Sequence, residues 1–223
     1  MRGSISCIVA AVAALGALCW GSETAGLAER EKTARRHTAH KLLGYWGRPV
    51  FIRIIKEEAA LELWLQHEGK WQVFETYPIA GMSGELGPKT REGDCQAPEG
   101  FYRVLPAALN PKSNYYLSFN IGYPNSYDRE LGRTGSHIMV HGSNVSIGCF
   151  AMTDPGIEEI YTLVAAALRG GQAYVPVQVY PFRMSPQRMQ TELSHPHYDF
   201  WMHLLQGWQH TETHREPWPD SDN

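Results

Sequence analysis

The sequence predicts a mainly β domain with flanking helices, and three observations carry that prediction. Strand-like runs follow one another at Val50 to Ile55, Leu61 to Leu65 and Trp71 to Ile79, which is how a sheet-based domain begins. Seven tryptophans and eleven tyrosines suit pleated surfaces and a groove for an extended ligand, although plain core is the commoner use of aromatic residues. Helical spacing of apolar residues is confined to the stretch after Asp154 and to the C-terminal part, where it reads as cover for the sheet. At 223 residues, one domain with appendages is the natural count, and a hydrophobic fraction of 43% supplies a sizeable core. The net charge of -3 gives no electrostatic case for a nucleic-acid partner.

Residues 1–28 read as a secretory signal peptide. Arg2 precedes an apolar run from Ile5 to Trp20, and Gly26-Leu27-Ala28 offers a cleavage site. The run is short of the ~20 residues of a spanning helix. An uncleaved anchor is the alternative, and a lipid-modified Cys19 a third reading that the bulk of Leu18 disfavours. Residues 29–48 form a charged lead-in, expected to be mobile or helical and outside the core, with Arg35-Arg36-His37 a solvated basic run. The first two strands make a hairpin turned near Glu57-Glu58-Ala59. The stretch from Ala80 to Pro98, rich in glycine, proline and charge, is a long loop of the functional or disordered kind. In it Lys89 and Arg91 are candidates for substrate carboxylates, solvated loop charge being the plainer reading.

Strands are expected again at Gly100 to Leu105 and at Tyr115 to Ile121, where Tyr116, Ser118 and Asn120 share a face. In the polar loop Gly122 to Gly135, Arg133 either holds a carboxylate with its planar fork or pins the loop in a salt bridge. Asp154 as N-cap and Pro155 at the first helical position start a helix, with Ile157, Ile160, Tyr161, Val164, Ala165 and Leu168 on one stripe and Gly170-Gly171 at its end. Tyr174 to Tyr180 is a strand whose Pro176 suggests an edge. Residues 185–211 form a helical extension docked through Trp201, Leu204, Leu205 and Trp208, and residues 212–223 read as a disordered tail. His195, His197, His203, His210 and His214 are scattered over this region and are expected to titrate in water without a shared site.

The chemistry concentrates in Ser136 to Thr153, S-H-I-M-V-H-G-S-N-V-S-I-G-C-F-A-M-T. A strand in which Ile138 and Val140 alternate with His137, Met139 and His141 is broken by Gly142. A polar turn, Ser143 to Ser146, leads to Gly148-Cys149 and the apolar Phe150-Ala151-Met152, so the chain folds back and brings His141 and Cys149 face to face. A free thiol, with a pKa near ~8.5, is only a few per cent thiolate at neutral pH, so a nucleophilic cysteine needs an imidazole to take its proton. Gly148 permits a tight turn, and the amides around Cys149 are placed for an oxyanion. Two bland readings compete. Loss of the signal leaves Cys95 and Cys149, which in an oxidising compartment default to a disulfide. His137, His141 and Cys149 also suggest zinc, but no further cysteine or acid stands at ligand spacing.

His141-Gly142 followed by Ser146-Ile147-Gly148-Cys149 resembles the active-site signature of the L,D-transpeptidase (YkuD-like) family of cell-wall enzymes. Ser83-Gly84, Leu86-Gly87-Pro88-Lys89, Ala97-Pro98-Glu99-Gly100-Phe101-Tyr102, Gly122-Tyr123 and Pro181-Phe182-Arg183-Met184 resemble its YafK-like branch, and the likeness runs from Pro49 to Met184. The resemblance implies an L,D-transpeptidase-like β-sandwich or barrel catalytic domain over residues 49–184. It implies Cys149 as nucleophile, His141 as proton acceptor and donor, an oxyanion site at Gly148, and no cofactor or metal. Ser146 and Arg133 are the candidate substrate-binding residues. The implied partners are peptidoglycan stem peptides and a wall-linked lipoprotein, and the implied location is the periplasm, anchored to the inner membrane if the signal is uncleaved. Ile147 stands where the family often has His, and Ala151 where it often has Arg. Both departures, with the branch, point towards cutting bonds rather than joining them. A non-catalytic peptidoglycan-binding module on the same fold is the alternative. Thiol titration separates the readings: the exported protein shows one or two free thiols if Cys149 is a nucleophile and none if it is bridged to Cys95.

Overall fold

The computed structural model describes residues 27–219, so all but the last two residues of the predicted signal peptide, and residues 220–223 of the tail, lie outside the described residues. In chain order the elements are α1 (Glu29–Leu42), β1 (Val50–Ile55), β2 (Ala60–His67), β3 (Lys70–Pro78), β4 (Gly100–Val104), β5 (Leu109–Asn110), β6 (Ser118–Asn120), α2 (Ser126–Glu130), β7 (Met139–His141), β8 (Phe150–Ala151), α3 (Asp154–Arg169), β9 (Val175–Tyr180), α4 (Pro186–Gln190) and α5 (Tyr198–His214). Among the described residues, no helix is long and apolar enough to cross a membrane.

Two sheets carry the domain. The larger has the order β3-β2-β1-β9-β4 and the smaller β5-β6-β7-β8. They do not close into a barrel, so of the two expected forms the sandwich is the one present. β1 is antiparallel to β2 and parallel to β9, and all six of its residues are buried. Its Ile52 and Ile54 enter the main core, while Ile55 joins a second cluster with Tyr180, Phe182, Trp201 and Trp208. The sheets meet at one corner. There Ala151 of β8 donates its N–H to Gly81 at 2.9 Å and accepts from Ala80 at 2.7 Å. α3 lies across both sheets and buries Ile157, Ile160, Tyr161, Val164 and Leu168, the stripe read from the sequence.

Several local expectations shift. The helix cap is Thr153, whose Oγ1 accepts from Gly156 at 3.4 Å, so Asp154 is the first helical residue and its carboxylate is left to accept the Ser143 N–H at 2.8 Å. Pro176 is not on an edge strand, since β9 runs between β1 and β4. It is tolerated because the β1 ladder begins only at Val177, leaving Pro176 a neighbour on the β4 side alone, opposite Arg103. The lead-in is a docked helix: α1 buries Glu31, Ala34, Arg35, Thr38 and Leu42. Its Arg35, expected in solvent, lies 3.9 Å over the Trp46 ring, and Glu31 accepts from Tyr161 and Arg169 of α3 at 3.0 and 2.5 Å. The tail is ordered beyond residue 211. α5 continues to His214, Glu212 pairs with Arg53 at 2.6 Å, and the Trp218 ring lies against Phe101. The C-terminal histidines pack on aromatic rings, His195 on Trp201 at 4.1 Å and His203 on Tyr127 at 4.8 Å, and burial lowers the pKa of His197 and His203.

The 80–98 loop is held by a buried ion. Lys56, at the end of β1, donates to the carbonyls of Glu85 (2.9 Å), Gly87 (2.8 Å) and Ala97 (3.0 Å) and to the Glu99 carboxylate (2.9 Å). Glu99 also accepts from the Gly87 N–H at 2.6 Å and from the Trp201 indole at 2.8 Å. Burial pulls the Lys56 pKa down, and the Glu99 charge opposes that. Both side chains are almost fully buried, so removing one strands the other's charge in the interior. Lys56→Met is expected to lower the unfolding free energy by about 3–5 kcal/mol, read from urea denaturation curves.

Candidate active site

The site is built where β7 and β8 run parallel. Val140 pairs with Phe150 and His141 with Ala151, so one rung earlier Cys149 stands beside Met139. The Met139 N–H indeed donates to the Cys149 sulfur at 3.3 Å. Side chains alternate along a strand, which puts Val140 and Phe150 into the core and turns His141 and Cys149 to the opposite face, on neighbouring strands and diagonal to one another. Gly142, directly after β7, is closely packed: a Cβ there would stand 2.5 Å from the Asp154 carboxylate and 2.8 Å from the Tyr115 carbonyl. Gly148, directly before the cysteine, has φ +79°, a conformation that favours glycine.

The imidazole is oriented by its own strand end. Nδ1 of His141 lies 2.6 Å from the Gly142 carbonyl. A carbonyl only accepts, so Nδ1 carries the hydrogen and Nε2 is the basic nitrogen. The group that orients the imidazole is therefore a main-chain oxygen, which has no signature in sequence. The Tyr115 ring covers the imidazole at 4.7 Å between centroids, tilted by 35°. Ser118 of β6 pairs with His141 across the ladder, and its buried hydroxyl has no hydrogen-bond partner.

Burial lowers the His141 pKa, with the Gly142 carbonyl opposing. Burial also raises the Cys149 pKa, opposed by the Met139 N–H, the Lys89 charge and the Ser146 hydroxyl. Both shifts favour the neutral forms, so the resting pair is thiol and imidazole rather than thiolate and imidazolium. The thiol donates to the His137 carbonyl at 3.5 Å, and no hydrogen bond joins sulfur to ring in this resting arrangement.

The other expected site residues fall into place differently. The Gly148 N–H already donates to Ser83 Oγ at 2.7 Å, and that hydroxyl donates on to the Cys95 carbonyl at 2.6 Å. The Gly148 N–H, expected at the oxyanion, is thus engaged in this arrangement, whereas no hydrogen bond from the Cys149 N–H is seen among the described residues. Arg133 is the loop pin of its two readings, bonded to Asp128 at 2.8 Å with its guanidinium 4.6 Å from the Phe200 ring. Lys89 is neither solvated nor open to a carboxylate. It is buried and donates to Asp94 at 2.5 Å and to the Arg91 carbonyl at 2.9 Å, and its charge reaches Cys149. Ser146 lies beside the sulfur, and its hydroxyl works to hold the thiol pKa down. Val145 and Ile147 are exposed on the rim, Ile147 at 75%. His137 precedes β7 with φ +54° and is exposed. Cys95 and Cys149 are both free, and among the described residues no three His, Cys, Asp or Glu side chains gather as metal ligands.

Sequence reasoning gave no role to Ser83, Tyr115 or the buried side of Lys89. Ser83 stood in a motif of the resembled branch without an assigned task. Tyr115 was only the first residue of an expected strand, and its position above His141 follows from the turn that replaces that strand's first half.

The family model for the YkuD L,D-transpeptidase catalytic domain matches residues 51–203. YafK of Escherichia coli (strain K12), provisionally described as an L,D-transpeptidase, is 46% identical over 171 residues, covering 77% of this chain and 70% of the relative. Among solved structures, the helical cell shape determining protein Pgp2 from Campylobacter jejuni matches with a TM-score of 0.50 at 23% identity over 76% of this chain. A point mutant of Pgp2 matches with the same score at 24% identity. The chain spans 58% of the Pgp2 chain, and at this identity the likeness speaks to the fold.

The two pKa directions set a pH expectation. A raised thiol pKa means that the reactivity of Cys149 towards iodoacetamide, followed by peptide mass spectrometry, keeps climbing above the ordinary thiol value of about 8.5. A lowered imidazole pKa means that the neutral base persists below about 6.5, so the acid limb of turnover falls under that value. A Cys149 alkylation profile already flat at pH 7 would contradict a neutral resting pair.

Proposed function

The chain belongs to the YkuD family of L,D-transpeptidase catalytic domains, and from that premise we propose that it is an exported cysteine enzyme acting on peptidoglycan stem peptides at diaminopimelate through a thioester on Cys149. The observation that carries this reading is the placement of His141 and Cys149 on one face of two adjacent parallel strands, with Nδ1 of the imidazole committed to the Gly142 carbonyl and Nε2 left basic.

In the proposed reaction the Cys149 sulfur attacks the carbonyl on the L-centre side of diaminopimelate. Because both partners start neutral, the thiol proton moves to Nε2 of His141 as the carbon–sulfur bond forms. The Cys149 N–H faces the developing oxyanion, a donor of the kind worth roughly 3 kcal/mol in well-studied enzymes. Collapse breaks the carbon–nitrogen bond, and the imidazolium returns its proton to the departing amine. Water, deprotonated by the same nitrogen, then opens the thioester and frees the thiol. An amine in place of water gives a cross-link instead.

We favour hydrolysis, with a wall-linked lipoprotein as the released amine. Ile147 and Ala151 support that direction, because they replace the polar residues that the resembled signature often carries beside its cysteine. The apolar rim of Val145 and Ile147 presents little to position a second peptide's amine. Mass spectrometry of the purified mature protein with muropeptides tests the reading. Wild type is expected to show a thioester adduct or cleaved muropeptides, and Cys149→Ala to lose turnover by at least about a thousandfold. Unchanged muropeptides with both proteins, alongside retained binding, would favour the wall-binding module instead.

A further inference from the structure

A chain of contacts runs from the first helix to the catalytic ring. Arg30, in the first turn of α1, donates through one guanidinium nitrogen to the Ser113 carbonyl at 2.5 Å and the Tyr116 carbonyl at 2.7 Å. Those carbonyls bracket Tyr115. Inside the turn, the Tyr115 N–H donates to Ser113 Oγ at 3.0 Å. From the far side, the Tyr116 hydroxyl donates to Glu158 of α3, and His37 of α1 meets that carboxylate at 3.1 Å. The turn is thus tied to both helices although it lies in an irregular segment.

Tyr115 is itself 49% exposed, and its hydroxyl has no partner among the described residues. Core packing therefore does not explain its position. Beyond its N–H to Ser113, its engagements concern His141. The tilted ring lies over the imidazole, and the Tyr115 carbonyl shares the Gly142 N–H with the Leu117 carbonyl, each at 3.1 Å. Gly142 is the residue whose carbonyl fixes Nδ1 of His141.

We propose that α1 is a positioning element for the site: Arg30 fixes the 113–116 turn, and the turn both lays Tyr115 on the His141 ring and steadies the Gly142 carbonyl that orients it. Tyr115 and Arg30 are positioning residues. The inference rests on the reading of His141 as the base for Cys149. It goes beyond that reading by giving the lead-in helix, which lies outside the paired sheets, a part in the chemistry. The physical reason is freedom of rotation. An imidazole held at one nitrogen can still swing about that bond, and a ring laid over one side with the strand on the other limits that swing. A catalytic group misplaced by ~1 Å loses up to about a hundredfold in rate.

The test needs no peptidoglycan substrate. In a Cys95→Ser background, leaving Cys149 as the one free thiol of the mature chain, the rate of iodoacetamide alkylation at pH 7 reports how well the imidazole accepts the proton. Tyr115→Leu and Arg30→Met are each expected to slow alkylation by about tenfold, while Tyr115→Phe, which keeps the stacked ring, retains the wild-type rate. The double variant should be no slower than the slower single one, because both act through one turn. Arg30→Gln, which keeps most of the side chain's packing, serves as the second arm if Arg30→Met does not fold. An Arg30 variant at the wild-type rate, a Tyr115→Phe as slow as Tyr115→Leu, or a double variant slowed by the product of the two effects would each overturn the proposal. His141→Ala alkylated at the wild-type rate would overturn the underlying base assignment as well, which separates the two failures.

Discussion

The ammonium of Lys56 is the constraint on which the surroundings of Cys149 depend. It sits under the 80–98 loop and gathers three main-chain carbonyls and the Glu99 carboxylate. The Glu85 and Gly87 carbonyls also accept from the Gln96 amide, but the Ala97 carbonyl is met by Lys56, and a buried carbonyl left unpaired is unfavourable by itself. The charge solves that problem and creates another, because an ion inside a protein must be matched. Glu99 matches it and ties the assembly to α5 through the Trp201 indole. From this anchor the loop delivers Ser83 to the Gly148 amide and the Lys89 charge to the neighbourhood of the sulfur. The C-terminal extension is thereby tied to the loop that reaches the site rather than being an appendage.

The protonation of His141 and Cys149 follows from burial set against a few hydrogen-bonding and charged groups. Desolvation pushes thiol and imidazole towards neutrality, and one amide, one hydroxyl and one distant ammonium pull the sulfur the other way without being the larger effect. A neutral thiol is also the form less open to oxidation, since the thiolate is the species that oxidants attack. Under the proposed reading, the thiol stays protonated at rest and an oriented imidazole takes its proton as the sulfur reacts.

Much of the fold was readable because its signals are local. The β1–β2 hairpin, β3, β4, α3 and β9 stood out by alternation, turn residues and an apolar stripe, and each lies within a residue or two of its expected place. Failures came where tertiary context overrode local preference. Pro176 signals an edge, yet a ladder that starts one residue later accommodates it beside β1. Arg35 looks like a solvated charge, yet the Trp46 face takes it in. Tyr115 to Leu117 look like strand, yet Arg30 draws the two carbonyls flanking Tyr115 into a turn. Residues 212–214 look like tail, yet Glu212 finds Arg53 between two tryptophans and α5 continues.

What the sequence by itself determined was the family, the bringing together of His141 and Cys149, and the order of elements that carry them. A histidine at a strand end, a glycine-bounded turn and a cysteine opening the next strand are all short-range features. Only the tertiary structure decided how those residues are armed. The acceptor that fixes His141 is a main-chain oxygen, the donor beside the sulfur is a main-chain amide from the neighbouring strand, and the Gly148 amide is occupied by a serine from a loop more than sixty residues earlier. Backbone atoms are the same at every position and long-range partners leave no periodicity, so these choices exist only once the two strands are paired.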